Sequence, residues 1–127
     1  EPDSKYFSPG NLRATAGNEK YLALVQSWIA EKRTLRYSGG MVPDIHHILS
    51  KSEGIFSYPR DQKHEHGKLR LLFECAPFSL VAEEAGGTSL DQEGTPVLDI
   101  EITDPHQRTP IFIGSKNDVE KSIATLQ

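Results

Sequence analysis

The sequence predicts an α/β domain built in layers. Amphipathic helical stripes recur along the chain at 3.6-residue spacing. Between them lie short apolar runs bounded by Gly and Pro, the signature of strands. Helices interleaved with strands pack as layers, and 127 residues make one domain with a real core.

Residues 1–17 carry Pro2, Pro9, Gly10 and Gly17 and read as loop. A helix is predicted from Asn18, its N-cap, because Tyr21, Leu24, Val25, Trp28 and Ile29 form one apolar stripe. Lys32 and Arg33 suit its last turn, where the dipole favours cations. The 36–40 segment breaks the helix. A second helix is predicted over 41–49, with Pro43 tolerated in the first turn and Val42, Ile45, Ile48 and Leu49 facing the core. Ile55–Tyr58 reads as a strand stopped by Pro59, and 60–67 as an exposed loop. The 68–74 segment reads as extended by its alternation, then enters a helix near Pro77 whose stripe is Phe78, Val81, Ala82 and Ala85. Gly86 and Gly87 end that helix. Short strands are predicted at 88–90, 97–100 and 111–113, and a last helix at 117–126.

Composition narrows the function classes. Fourteen basic against eighteen acidic residues give a net charge of −4, which argues against a dedicated nucleic-acid binder. A mean hydropathy of −0.49 and the absence of any long apolar run argue against a membrane span. The single cysteine, Cys75, cannot form an internal disulfide, which favours a reducing compartment, and it reads as a small buried hydrophobe. With no initiator Met and no leader pattern, the chain is expected to be part of a longer protein.

Two segments have anion-binding chemistry. Lys68 and Arg70 place two cations near Glu74, whether the stretch is extended or helical. The guanidinium fork suits phosphate oxygens, and a nearby carboxylate suits a hard cation. Arg36 and Tyr37, followed by Gly39, Gly40 and a helix start, offer a second anion-binding arrangement. On residue types alone, a solvated charged face and an ordinary helix-to-helix turn are the commoner readings of these two segments. His64-Glu65-His66 lacks a recognised zinc spacing and reads as exposed loop. Of His46 and His47 only one can face the core. His106 sits where a local turn bond to Asp104 is expected.

Taken in order, several blocks resemble the C-terminal part of the fructose-1,6-bisphosphatase family. They are Arg36-Tyr37-x-Gly39-x-Met41-Val42-x-Asp44, Gly54-Ile55-Phe56-x-Tyr58-Pro59, Gly67-Lys68-Leu69-Arg70-Leu71-Leu72-Phe73-Glu74-Cys75-x-Pro77, Glu84-Ala85-Gly86-Gly87 and Asp104-x-His106-Gln107-Arg108-x-Pro110. Within the family, the Phe7-Ser8-Pro9-Gly10-Asn11-Leu12-Arg13-Ala14-Thr15 block, together with Thr34-Leu35-Arg36-Tyr37-Ser38-Gly39-Gly40-Met41-Val42-Pro43-Asp44, resembles the sedoheptulose-1,7-bisphosphatase branch. Fructose-1,6-bisphosphatases usually carry Asn-Glu-Gly-Tyr where this chain has Ser8-Pro9-Gly10-Asn11.

The resemblance implies the C-terminal domain of a sugar-phosphatase fold over 1–127, an α/β/α arrangement around a mixed sheet. It implies Lys68 and Arg70 as substrate-binding residues, Tyr58, Arg36 and Tyr37 as contacts to the distal phosphate, Met41 as a main-chain contact to the sugar, and Asn11 near the sugar. Glu74 is implied as a ligand of Mg²⁺. The family's main metal cage, an Asp-Pro-Leu-Asp-Gly-Ser motif with further upstream acids, does not occur in these residues. The expected partners are therefore a sugar bisphosphate and an N-terminal part of the same protein, in a homo-oligomer without nucleic acid or membrane. The implied activity is hydrolysis of the C1 phosphate of sedoheptulose 1,7-bisphosphate, in the Calvin cycle or a related pathway of the cytoplasm or plastid. The alternatives are fructose-1,6-bisphosphatase activity and a non-catalytic sugar-phosphate-binding or oligomerisation module.

Overall fold

A computed structural model describes residues 5–51 and 53–127. The strands are β1 (Tyr6–Pro9), β2 (Thr34–Leu35), β3 (Ile55–Tyr58), β4 (Thr88–Leu90) and β5 (Ile111–Gly114). They pair in the order β2-β1-β3-β5-β4. β1 runs parallel to β2 and β3, whereas β5 runs antiparallel to β3 and β4, so the sheet is mixed.

Helices α1 (Glu19–Ala30), α2 (Met41–Lys51), α3 (Ala76–Glu84) and α4 (Lys116–Leu126) cover both faces. The register sets Phe56 opposite Ile113 and Ser57 opposite Phe112, so successive residues feed opposite cores. One core joins Phe7, Ile55 and Phe112 to Tyr21 and Trp28 of α1 and Val119 and Ile123 of α4. The other joins Phe56, Ile111 and Ile113 to Ile45 and Ile48 of α2 and Ala82 of α3. This is the expected α/β/α layering. Each large apolar side chain so buried contributes roughly 1.5–3 kcal/mol.

Asn18 caps α1 as predicted, its side chain accepting the Tyr21 N–H at 3.0 Å. Asn18→Ala should lower stability by about 1 kcal/mol, read as a lower midpoint in urea with an unchanged slope. Tyr21 is fully buried and its hydroxyl shares a 2.8 Å hydrogen bond with Ser57 Oγ. Burial pushes its phenol up to about 12, so it stays neutral in the core.

Several local expectations are corrected. The loop predicted for 1–17 contains β1 and a 3₁₀ turn at Leu12–Ala16, while residues 1–4 lie outside the described residues. Pro9 is tolerated at the last residue of β1. The 97–100 strand is instead a 3₁₀ turn at Val97–Asp99, entered from Pro96. The short strand β2 was not predicted. Its residues are exposed, and only its pairing with β1 defines it. Ile29 and Val42 are exposed rather than buried. Arg33 lies beyond the end of α1, its side chain buried and clamped between Glu31 at 2.7 Å and Asp118 at 2.9 Å, which ties the exit of α1 to α4.

Candidate functional site

Because β1, β2 and β3 are parallel, their carboxyl ends share one edge of the sheet. Open α/β sheets bind ligands in that crevice. The segments leaving the three strands enclose a cavity of about 560 Å³. Asn11 enters it from the exit of β1, Tyr37 and Met41 from the exit of β2, and Tyr58 and Lys68 from the end of β3 and its following loop. The Gly10 N–H donates to the Ser57 carbonyl at 2.8 Å, which holds the β1 exit against β3. Buried Asp44, in the first turn of α2, accepts the Ser38 N–H at 3.0 Å and so shapes the loop that carries Tyr37.

The 68–74 stretch is extended only as far as Arg70. From there the backbone turns through a π-helical segment, Leu71–Cys75, into α3. Glu74 folds back over that turn. Its Oε1 accepts the Arg70 main-chain N–H at 3.1 Å and the Arg70 Nε–H at 3.3 Å. The expected single charged face is therefore divided. Lys68 and Glu74 line the cavity, whereas Arg70 is outside the lining with its guanidinium 5.3 Å from the centre of the Phe73 ring. Arg36 is outside it too, 5.5 Å from the centre of the Tyr6 ring. Cys75, directly behind Glu74, is fully buried as expected, and burial pushes its thiol up to about 12.

The fold alone does not assemble a metal centre. Among the described residues no group of three or more His, Cys, Asp or Glu side chains is placed to hold an ion. A hard divalent cation takes about six oxygen ligands. Glu74 is half-buried, with one oxygen already used by Arg70, and it fits as one ligand of such a set. His64 is tied to Asp61, its Nδ1 3.0 Å from Oδ1, while Glu65 and His66 are exposed, so these three residues form no clamp. His106 takes part in a local turn, its N–H donating to Asp104 Oδ1 at 2.7 Å.

A second chamber of about 510 Å³ adjoins the first and shares Asn11, Arg13, Tyr58 and Lys68 with it. Part of the loop predicted to be exposed walls this chamber. Asp61 and His64 are half-buried there, and Gly67 is buried. Asn11, itself buried, donates to Asp61 Oδ2 at 2.7 Å. Burial opposes ionisation of Asp61, but hydrogen bonds from Asn11 and His64 outweigh it and hold the carboxyl below its usual value. Burial, followed by the charge of Asp61, raises the Tyr58 phenol, and Arg13 opposes that rise. Sequence reasoning assigned no role to Arg13, Asp44 or Asp61. Arg13 and Asp44 stood inside the quoted blocks, but no local pattern distinguished them, and only the fold brings them to these walls.

Comparison with known proteins agrees with this architecture. The model for "Fructose-1-6-bisphosphatase, C-terminal domain" matches residues 1–127. The chloroplastic sedoheptulose-1,7-bisphosphatase of Spinacia oleracea is 48% identical over 125 residues, covering 98% of this chain and 32% of that protein. A class 1 fructose-1,6-bisphosphatase of Geobacter sulfurreducens is 46% identical over 123 residues, covering 94% of this chain and 37% of that protein. A Toxoplasma gondii crystal structure, provisionally assigned as a sedoheptulose-1,7 bisphosphatase, superposes with a TM-score of 0.92 at 35% identity, covering 99% of this chain and 38% of that one. The chain thus spans about a third of the length of the curated relatives it matches. On sequence and fold together, this chain belongs to the fructose-1,6-bisphosphatase C-terminal domain family.

Proposed function

We propose that the chain is the sugar-phosphate-binding domain of a bisphosphatase that hydrolyses the C1 phosphate of sedoheptulose 1,7-bisphosphate. One observation carries the reading: a cavity at the carboxyl ends of parallel strands is lined by the Lys68 ammonium, which has no partner among the described residues, by the phenols of Tyr37 and Tyr58, and by the Glu74 carboxylate. In this reading Lys68 meets a phosphate as a point charge. Tyr37, Tyr58 and the Asn11 amide donate hydrogen bonds. Tyr58, like any phenol, is neutral at neutral pH and so can donate to a phosphate oxygen, and burial shifts it further in that direction. Met41 presents main chain to the sugar. Arg70, outside the lining, holds Glu74 in place through its two contacts. Arg36, outside this cavity, serves the site of a neighbouring subunit in a homo-oligomer.

Glu74 would be one ligand of Mg²⁺, the remaining ligands being supplied by an N-terminal part of the same protein. When bound, the ion supplies charge neutralisation at the phosphate and acidifies a coordinated water. The choice of the seven-carbon sugar rests on Ser8-Pro9-Gly10-Asn11, where fructose-1,6-bisphosphatases usually carry Asn-Glu-Gly-Tyr. Fructose-1,6-bisphosphatase activity is the second reading, favoured by the similarity to the Geobacter enzyme.

Steady-state kinetics of the complete enzyme should give a higher kcat/KM for sedoheptulose 1,7-bisphosphate than for fructose 1,6-bisphosphate. A preference for the six-carbon sugar would replace the first reading with the second, and no phosphate release from either would remove both. Glu74→Gln should raise the Mg²⁺ concentration needed for half-maximal rate by about tenfold or more. An unaltered Mg²⁺ response would take Glu74 out of the metal site.

A further inference from the structure

We infer that Asp61 is a positioning residue for sugar binding: it fixes the side-chain amide of Asn11 so that the amide carbonyl oxygen is offered to a hydroxyl of the substrate. This rests on the sugar-bisphosphatase reading above and deepens it, because hydroxyls are what distinguish a sugar ester from bare phosphate.

The Asn11 amide has one orientation open to it. Asn11 is buried, it lines both chambers, and its Nδ2 donates to Asp61 Oδ2 at 2.7 Å. The two ends of an amide are told apart by their partners. Burial opposes ionisation of Asp61, yet the bonds from Asn11 and His64 hold its carboxyl below the usual value, so it is ionised at neutral pH. An ionised carboxylate accepts and never donates, so it can face only the NH₂ end of the amide. The Asn11 carbonyl oxygen is thereby turned away from Asp61, and it takes no hydrogen bond among the described residues. A phosphate dianion has no hydrogen to give that oxygen, whereas a hydroxyl has. The acceptor therefore reads sugar rather than phosphate.

Asp61 is itself fastened. Its Oδ1 accepts the main-chain N–H groups of Lys63 at 2.9 Å and His64 at 2.7 Å, with His64 Nδ1 at 3.0 Å. The main chains of Asp61 and His64 close on each other as well, each N–H donating to the other's carbonyl at 3.2 Å. One carboxylate oxygen thus holds the turn, and the other orients an amide that comes from the far side of the fold, at the exit of β1. This division lets the two roles be separated. Asp61→Asn keeps an oxygen for the turn but sets an NH₂ group against the NH₂ of Asn11. The Asn11 amide must then rotate, presenting donors where it presented an acceptor, and one negative charge is lost.

The complete enzyme is assayed with sedoheptulose 1,7-bisphosphate and fructose 1,6-bisphosphate as substrates and with inorganic phosphate as inhibitor. Asp61→Asn should raise KM for the preferred sugar by about tenfold, the effect of one lost hydrogen bond, with kcat changed less than about twofold. Inhibition by inorganic phosphate should stay the same or tighten, because phosphate then meets more donors and one charge fewer. Asn11→Leu should raise KM comparably, and adding Asp61→Asn to it should change KM by less than about twofold, since Asp61 then has no amide to act through. Asp61→Ser is the second variant: its shorter side chain still accepts from the turn but does not reach Asn11, so KM should rise again. An unchanged KM in either folded Asp61 variant overturns the inference while leaving the activity assignment intact. So does phosphate inhibition that weakens in step with the higher KM, the mark of a collapsed loop. Independent multiplication of the two losses in the double variant overturns it too. A wild-type enzyme that releases phosphate from neither sugar overturns the functional reading, and this inference with it.

Discussion

Gly114→Ala is expected to prevent stable folding. Gly114 ends β5, the strand between β3 and β4, with φ at +150°. A Cβ there would stand 2.2 Å from the Gly54 carbonyl oxygen and 2.9 Å from the Ile55 Cα. Both are main-chain atoms of the neighbouring strand and its entry, so no side-chain rotation relieves the clash. Relief would require β3 and β5 to separate where Ile55 pairs with Gly114, opening both cores. The expected cost is about 4 kcal/mol or more, in the range that only named packing or backbone defects reach, and comparable to the whole margin of a small domain. Gly39→Ala is the control. Gly39 also has positive φ, at +90°, but a Cβ there meets nothing within 4 Å. It should cost only the left-handed strain of about 1–2 kcal/mol. Thermal unfolding of both variants distinguishes clash from strain, and a Gly114→Ala protein melting with the wild type would refute the close-approach argument.

Lys68→Ala should give the largest loss of activity without loss of fold. Its ammonium is exposed, lines both chambers and has no partner among the described residues. Removal should leave stability within about 0.5 kcal/mol of wild type. In the proposed enzyme it should lower kcat/KM by about ten- to a hundredfold, the equivalent of 1.5–3 kcal/mol for a charge-assisted contact. The loss should fall on both sugars and should shrink as salt screens the remaining cations. An unchanged KM with either substrate would remove Lys68 from the phosphate site.

The helices were legible because their signal is local. The stripe of Tyr21, Leu24, Val25 and Trp28 declares both the helix and its buried face, and Asn18 its start. β3 and β5 were legible because both of their faces are covered, which requires consecutive apolar residues. β1 was hidden because Pro9 and Gly10 give a loop signal, and its extended form depends on partners at residues 34–35 and 55–57. The 97–100 run is apolar enough for a strand, yet Pro96 leads into a 3₁₀ turn that buries only Val97. Of the candidate site, Asn11, Tyr37, Met41, Tyr58, Lys68 and Glu74 meet in one cavity, while Arg36 and Arg70 stand outside it. The π-helical turn after Arg70 explains the split between Arg70 and Glu74, because it replaces simple alternation with a fold-back that no period-two reading anticipates.

The sequence by itself determined the layered α/β class, the helices and the blocks that carry the family likeness, since periodicity, capping and ordered motifs are properties of neighbours along the chain. The tertiary structure alone decided which charges share a space. Arg13 is separated by dozens of positions from Asp61 and Lys68, and it meets them only because the parallel strands β1 and β3 bring their carboxyl ends to one edge. Local sequence specifies what a residue can do, but long-range pairing specifies what stands beside it, and electrostatics depends on the second.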